Sequence, residues 1–322
     1  MNATWKIGDR PQFRTANFAN GKGGTKLGSV PYFPRVQKGF SLVELIIVIV
    51  ISGILATGLS NFIVLPIQGY TDLARRATLV NAADNALRRM ARDVHSALPN
   101  SIRVSGGAME MINVVDGGRY RDDPPPGDPN KRLEFNKADT EFNLLGQFNG
   151  ITRPFASTNQ RLVIYNVGVP GASAYEAGST VITPSGTSFS IVADGAFAAA
   201  GAEDRITLGS GFQFGFPSPT QRIYLVDTPV SYLCSGGNLY RYAGYPIAAG
   251  QLTTDAALIG AGASRALVAN QVNASACTFT YAPGTSQRAG LLTLALKVSQ
   301  TLPDGSTEDV QLLHQVHVDN TP

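Results

Sequence analysis

Between Phe40 and Leu65 the chain runs 26 residues with a single charge, the carboxylate of Glu44, and from Leu45 to Thr71 no side chain is charged. As a helix, the run Phe40–Leu65 measures about 39 Å at roughly 1.5 Å per residue, enough to cross a bilayer core. Glu44 is the anomaly. A carboxylate inside such a run costs on the order of 2.5–3.5 kcal/mol on insertion scales, so it needs a partner. A cut between Gly39 and Phe40 would create one, an α-amine that is protonated near neutral pH. Along one helix that amine is too close to be the obvious mate. In a packed array it could meet Glu44 of a neighbouring subunit.

The residues that carry this pattern, Lys38-Gly39-Phe40-Ser41-Leu42-Val43-Glu44-Leu45-Ile46, resemble the cleavage and N-methylation site of type IV prepilins and type II secretion pseudopilins. The resemblance implies a prepilin peptidase that cuts after Gly39 and methylates Phe40, and a role for Glu44 in setting register during filament assembly. It also implies partners: the peptidase, the major and other minor pilins, and an inner-membrane assembly platform. An ordinary membrane anchor is one alternative. A secretory signal peptide cut near Ala56-Thr57-Gly58 is another, but the apolar run continues past Gly58 through Leu59, Phe62, Ile63 and Val64.

Charge divides along the same boundary. Residues 1–39 hold seven Lys/Arg against Asp9, whereas the remainder has 19 basic and 22 acidic side chains, a balance of −3. The basic leader fits the cytoplasmic side of a membrane, with the C-terminal part periplasmic. Nothing after it forms a nucleic-acid footprint. The leader is polar and Gly-rich, as in Asn20-Gly21-Lys22-Gly23-Gly24, and cannot pack a core. It is long for the family, so a misplaced start is expected, with Val36, Val30 or Leu27 as alternative initiators. An apolar content of 43%, with only 15% charged residues and many Gly and Pro, suits a loop- and strand-rich exported domain. Cys234 and Cys277 are the two cysteines. With the leader inside, both face an oxidising compartment and a single disulfide fits; the alternative is two free buried thiols.

The helix is expected to continue to Leu98. Leu73, Ala77, Val80, Leu87, Met90, Val94 and Ala97 form an amphipathic stripe. Asp72 with Arg76, Asp84 with Arg88 and Arg89 with Asp93 stand at i,i+4. Pro99 stops the helix and Pro66 should kink or locally melt it. Arg88, Arg89, Arg92 and Asp93 are either a solvated face or a subunit contact. Strands are expected at 102–104, 109–115, 162–167, near Val181 and Ile191, and at 205–208, 213–216 and 222–226. Asp116-Gly117-Gly118 reads as a turn. Val230–Cys234 and Asn238–Tyr242 read as a hairpin around Ser235-Gly236-Gly237, and 277–281, 290–299 and 309–318 complete an antiparallel group. In 290–299, Leu292, Leu294, Leu296 and Val298 share one face.

The helix end from Ala86 to Arg103 resembles J-type minor pseudopilins and their pilus relatives. Together with 111–120, the order of the C-terminal strands and the tail Leu312–Pro322, it is similar to the minor pilins of the mannose-sensitive haemagglutinin (MSHA) pilus. The expected architecture is α+β and pilin-like: a leader over 1–39, a helix over 40–98 that is transmembrane over about 40–65, and a β-rich periplasmic domain over 99–322. The expected role is that of a minor subunit initiating or tipping an MSHA-type pilus. The rivals are a J-type pseudopilin of a type II secretion system and a membrane-tethered adhesin using its Tyr-rich stretch Tyr224–Tyr245. No enzyme, cofactor, metal or small-molecule substrate is expected. His314 and His317 are three apart in a strand and point to opposite faces, Asp122, Asp123 and Asp128 lie in a Pro-rich loop, and Gly209-Ser210-Gly211 precedes no helix.

Overall fold

A computed structural model describes residues 39–124, 128, 131–195, 203–284, 288–302 and 304–322, without the side chains of 60, 61 and 63–65. The leader up to Lys38, with the candidate starts Leu27, Val30 and Val36, lies outside the described residues, as do parts of the loop at 125–130 and the end of the Gly/Ala-rich stretch before 203. The chain divides into two units, 1–64 and 65–322. The architecture is α+β and pilin-like: an N-terminal apolar helix and antiparallel sheets.

In the first unit the described chain is the opening of helix α1 (Leu42–His95). The helical assignment passes through Pro66 without interruption, contrary to the melting expected there. Proline removes one amide donor, and a ladder continuous on both sides can lose a single bond and persist. The helix stops at His95, short of Leu98. Ala97 still donates to the Val94 carbonyl at 3.1 Å but bridges to Asn113, and the amide of Leu98 donates to the carbonyl of Ile112 at 2.8 Å, so Leu98 pairs with a strand rather than with the helix.

In the second unit the described strands form three antiparallel sheets. The largest holds β1 (Arg103–Ser105), β2 (Ala108–Arg119), β5 (Arg161–Val163), β8 (Arg222–Ser235), β9 (Asn238–Ala243) and β10 (Ser264–Ala269), in the order β1-β2-β8-β9-β10 with β5 also on β8. A second consists of β3 (Asp139–Asn143), β4 (Phe155–Ala156), β6 (Phe189–Asp194) and β7 (Glu203–Phe212). The third is the C-terminal meander β11 (Thr278–Ala282), β12 (Gly290–Thr301) and β13 (Thr307–Val318). A short helix, α2 (Asp255–Gly260), is capped by Thr254, whose side chain accepts from the amide of Ala257.

The expected hairpin forms: Ser235 pairs with Asn238 around Gly236 and Gly237, both at positive φ, the conformation that a two-residue turn of this hand demands. In β12, Leu292, Leu294, Leu296 and Val298 are fully buried, as the alternation predicts. Other expectations are corrected. Asp116-Gly117-Gly118 is not a turn but the continuation of β2, opposite Leu225, Tyr224 and Ile223 after a bulge near Val115. Gly118 is there for space: a Cβ would sit 3.2 Å from the Phe148 ring. The stretches 222–226 and 230–234 are one strand, because Pro229 lies where the register shifts and a missing amide disrupts little. The strand at 162–167 ends at Val163, since Tyr165 adopts φ +59°. Residues 213–216 form no strand. The short elements β3, β4, β10 and α2 have too little periodicity to be read in advance.

The helical stripe is also displaced. Leu73 and Ala77 are exposed, and burial begins at Leu79 and follows Ala83, Ala86, Leu87, Met90, Ala91 and Val94. These residues pack with Met109, Tyr232, Leu294 and Val316 from the first and third sheets. The three alanines keep helix and strands close, so the buried face is chosen by small residues that a search for large apolar ones passes over. A second core, rich in Phe142, Phe148, Phe189 and Phe214, belongs to the second sheet and the strands beside it.

Candidate functional site

Gly39, Phe40 and Ser41 precede α1 in non-helical conformation, and Phe40 is 83% exposed. The start of the helix is built by Ser41: its hydroxyl accepts from the amide of Glu44 at 3.2 Å, and its carbonyl accepts from Leu45 at 3.2 Å. This is an N-cap, which satisfies one of the donors a helix leaves open. The sequence reading gave Ser41 no part, although Ser-x-x-Glu from Ser41 to Glu44 is the spacing that marks such a start. Glu44 therefore sits in the first turn, where the helix dipole favours a negative charge by about 0.3–1 kcal/mol. That is several-fold less than the roughly 2.5–3.5 kcal/mol cost of a carboxylate within a span. Among the described residues no cationic side chain pairs with Glu44. The dipole accounts for part of its tolerance at this position and leaves most of its charge uncompensated among the described residues.

Gly39 is not required by the fold. Among the described residues a Cβ at this position meets nothing within 4 Å, and its φ lies outside the left-handed region. Leu42–Leu59 is long and apolar enough to cross a membrane, and Leu42, Val43, Leu45–Ile51, Ile54, Leu55 and Leu59 are all exposed. Apolar surface this extensive marks contact with lipid or with other chains.

The second expected pair is present. Cys234 and Cys277 form a disulfide with a Cα separation of 6.4 Å. It ties the end of β8 to the residue before β11, and so joins the first sheet to the third.

The charged residues near the end of α1 sort differently from the i,i+4 pattern. Asp84 pairs with Arg88 at 2.7 Å as expected. Asp72, however, takes Arg75 at 2.7 Å rather than Arg76, and Arg75 also reaches Glu308 at 3.1 Å. Asp93 turns away from Arg89 toward the sheet, where it accepts from Arg241 at 2.6 Å and from the hydroxyl of Tyr232 at 2.8 Å. Burial raises the Tyr232 phenol well above its ordinary range, which keeps it a donor to Asp93. Arg88, Arg89 and Arg92 remain exposed. In the Tyr-rich stretch, Tyr232, Tyr242 and Tyr245 are core residues, so only Tyr224 and Tyr240 keep surface. His314 and His317 are both exposed on β13. Among the described residues no cluster of three or more His, Cys, Asp or Glu is placed to hold a metal.

Residues 34–60 match the family described as the prokaryotic N-terminal methylation motif. The match covers the segment that contains Gly39, Phe40 and Glu44 and supports a type IV pilin- or pseudopilin-like protein; residues 61–322 lie outside it. With one helix among the described residues long and apolar enough to cross a membrane, it is consistent with a single-pass inner-membrane protein processed by a prepilin peptidase. No curated protein and no solved structure matches the chain.

Proposed function

We propose that the chain is a minor pilin of an MSHA-type type IV pilus, similar to the MSHA biogenesis protein MshO. It is inserted in the inner membrane with its leader in the cytoplasm, cut after Gly39 and methylated on Phe40. It then enters a complex that initiates or tips the filament. The observation that carries this reading is the methylation motif at the head of an exposed apolar segment, Phe40–Leu59, whose one charge, Glu44, pairs with no cationic side chain among the described residues. Apolar packing of the span supplies the adhesion between subunits, and the Phe40 amine of one subunit meets Glu44 of the next to set register. The MSHA assignment draws support from the likeness of the helix end, of 111–120 and of the C-terminal strand order to minor pilins of that pilus. No step of this role calls on an acid, base or nucleophile, so the proposal is a structural protein rather than an enzyme.

The test is the mass of the membrane-bound product with co-purification of its partners. An N-terminal methyl-phenylalanine at Phe40 and capture of MSHA pilins are expected. Capture of type II secretion components instead would move the chain to the J-type pseudopilins. An intact leader would overturn the processing reading altogether.

A further inference from the structure

The register of β2 against β8 places Arg119 directly opposite Arg222 and Gly117 opposite Tyr224. Like charges facing each other across a ladder repel, and nothing in the pairing itself compensates them. The nearest groups are neutral or weakly placed. Arg119 donates to the Thr220 carbonyl at 3.2 Å and to the side-chain oxygen of Gln221 at 3.0 Å. Arg222 donates to the Thr321 carbonyl at 3.4 Å and lies 3.8 Å from Asp319. The Asp319 oxygen that faces Arg222 is Oδ2, at a separation long for an ion pair, while Oδ1 accepts from the amide and hydroxyl of Thr321 at 3.0 and 2.8 Å.

Both arginines line a cavity of 590 Å³ bounded by the end of α1, β2, β8 and the C-terminal tail. His95 and Ser96 open onto it from the helix end, and both are exposed. Gly117 leaves its floor without a side chain, the partly exposed Ala97 and Val114 give it an apolar wall, and Asp319 lines it beside Arg222. A volume of this size is on the scale of a drug-sized ligand or several side chains, well beyond one inorganic anion. The local charge also runs against the balance of residues 40–322, which is −3.

We propose that this groove docks an extended acidic segment of another pilin subunit, with the segment's carboxylates between Arg119 and Arg222 and an apolar neighbour against Ala97 and Val114. Guanidinium groups bind carboxylates in a two-point geometry, and an acid inserted here converts a repulsive pair into a clamp. The proposal rests on the reading of the chain as a pilus subunit.

The test uses the full chain in its own membrane, with a photo-crosslinking amino acid in place of Ser96. The expected product is an adduct with a peptide of another pilin that contains Asp or Glu. The adduct should fall roughly tenfold in Arg119→Glu/Arg222→Glu and persist in Arg119→Lys/Arg222→Lys. Raising the ionic strength over wild-type membranes should weaken it too, a measurement that does not depend on any variant folding. An adduct indifferent to charge reversal and to salt would overturn the proposal. So would adducts with lipid alone, or with a segment that has no acid. The N-terminus is sequenced in the same sample. Normal cleavage without an acidic adduct defeats the groove alone, whereas an intact leader with the adduct present defeats the processing reading and leaves the groove standing.

Discussion

Arg241 on β9 donates its Nε proton to Oδ2 of Asp93 on α1 at 2.6 Å, and Tyr232 on β8 donates to the same oxygen at 2.8 Å. One carboxylate near the end of the helix therefore holds two strands of the first sheet. Both partners of the ion pair are about three-quarters buried, with 23% and 24% of their side chains exposed. Asp93→Ala leaves the Arg241 guanidinium and the Tyr232 hydroxyl without their acceptor. The expected loss is about 1.5–3 kcal/mol, the range for a hydrogen bond to a charged group. Asp93→Asn, which keeps an acceptor, should lose less. Thermal unfolding of the purified full chain in detergent measures both, and equal stability of Asp93→Ala and wild type would remove the carboxylate from this role.

The disulfide spans 43 residues of sequence and crosses between two sheets. Replacing both Cys234 and Cys277 by Ser should cost about 3–4 kcal/mol in the chain-entropy account. For a domain of this size that lowers the melting temperature by roughly 10 °C. Calorimetry on oxidised and reduced protein should show the same difference, and non-reducing peptide mapping should show the linked peptides.

Glu203 on β7 supplies a pH dependence. Burial and nearby Asp194 oppose its charge, but Arg121 at 2.5 Å and Asn143 at 3.1 Å outweigh them and hold its carboxyl below the ordinary glutamate range. A depressed folded-state value means that the stabilisation is fully present above the unfolded value, about 4.3. It is lost as the pH falls through the folded value. Melting temperature should therefore decline over this acid range, and Glu203→Gln should flatten that part of the decline while lowering stability at neutral pH. An acid limb with the same slope in the variant would assign the loss to other groups.

Gly39→Ala should leave the folded chain unchanged, because a Cβ there meets nothing among the described residues. On the proposed reading it should nevertheless abolish or sharply slow leader removal, because the peptidase, and not the fold, would demand glycine there. The mass of the membrane-bound product decides this.

Glu44→Leu should insert and be cleaved normally, and even more favourably by transfer energy. If Glu44 sets register as proposed, the variant should fail to enter the filament, because that charge is gone. Glu44→Gln should be intermediate, keeping a hydrogen bond without the charge. Processing, co-purification with other minor subunits and piliation are followed for each variant, and wild-type assembly by Glu44→Leu would confine Glu44 to peptidase recognition.

The N-terminal motif and the span were legible in the sequence because their physics is local. A run of apolar residues, one acid and a small residue before an aromatic keep their meaning whatever they pack against, and Ser41 caps the helix through bonds three and four residues away. The alternation of β12 and the Gly236-Gly237 turn were legible for the same reason. The tertiary structure decided which neighbours distant residues acquire. Asp93 reads as the i,i+4 mate of Arg89, yet its partners are 139 and 148 residues away. The buried stripe starts at Leu79 because that is where the strands meet the helix, a boundary that the helix's own periodicity does not contain. Asp116-Gly117-Gly118 has the composition of a turn, and only the approach of Phe148 and the ladder with β8 make it a strand. The facing of Arg119 and Arg222 is of the same kind, since cross-strand register is set by pairing across 103 residues and leaves no mark on either segment alone.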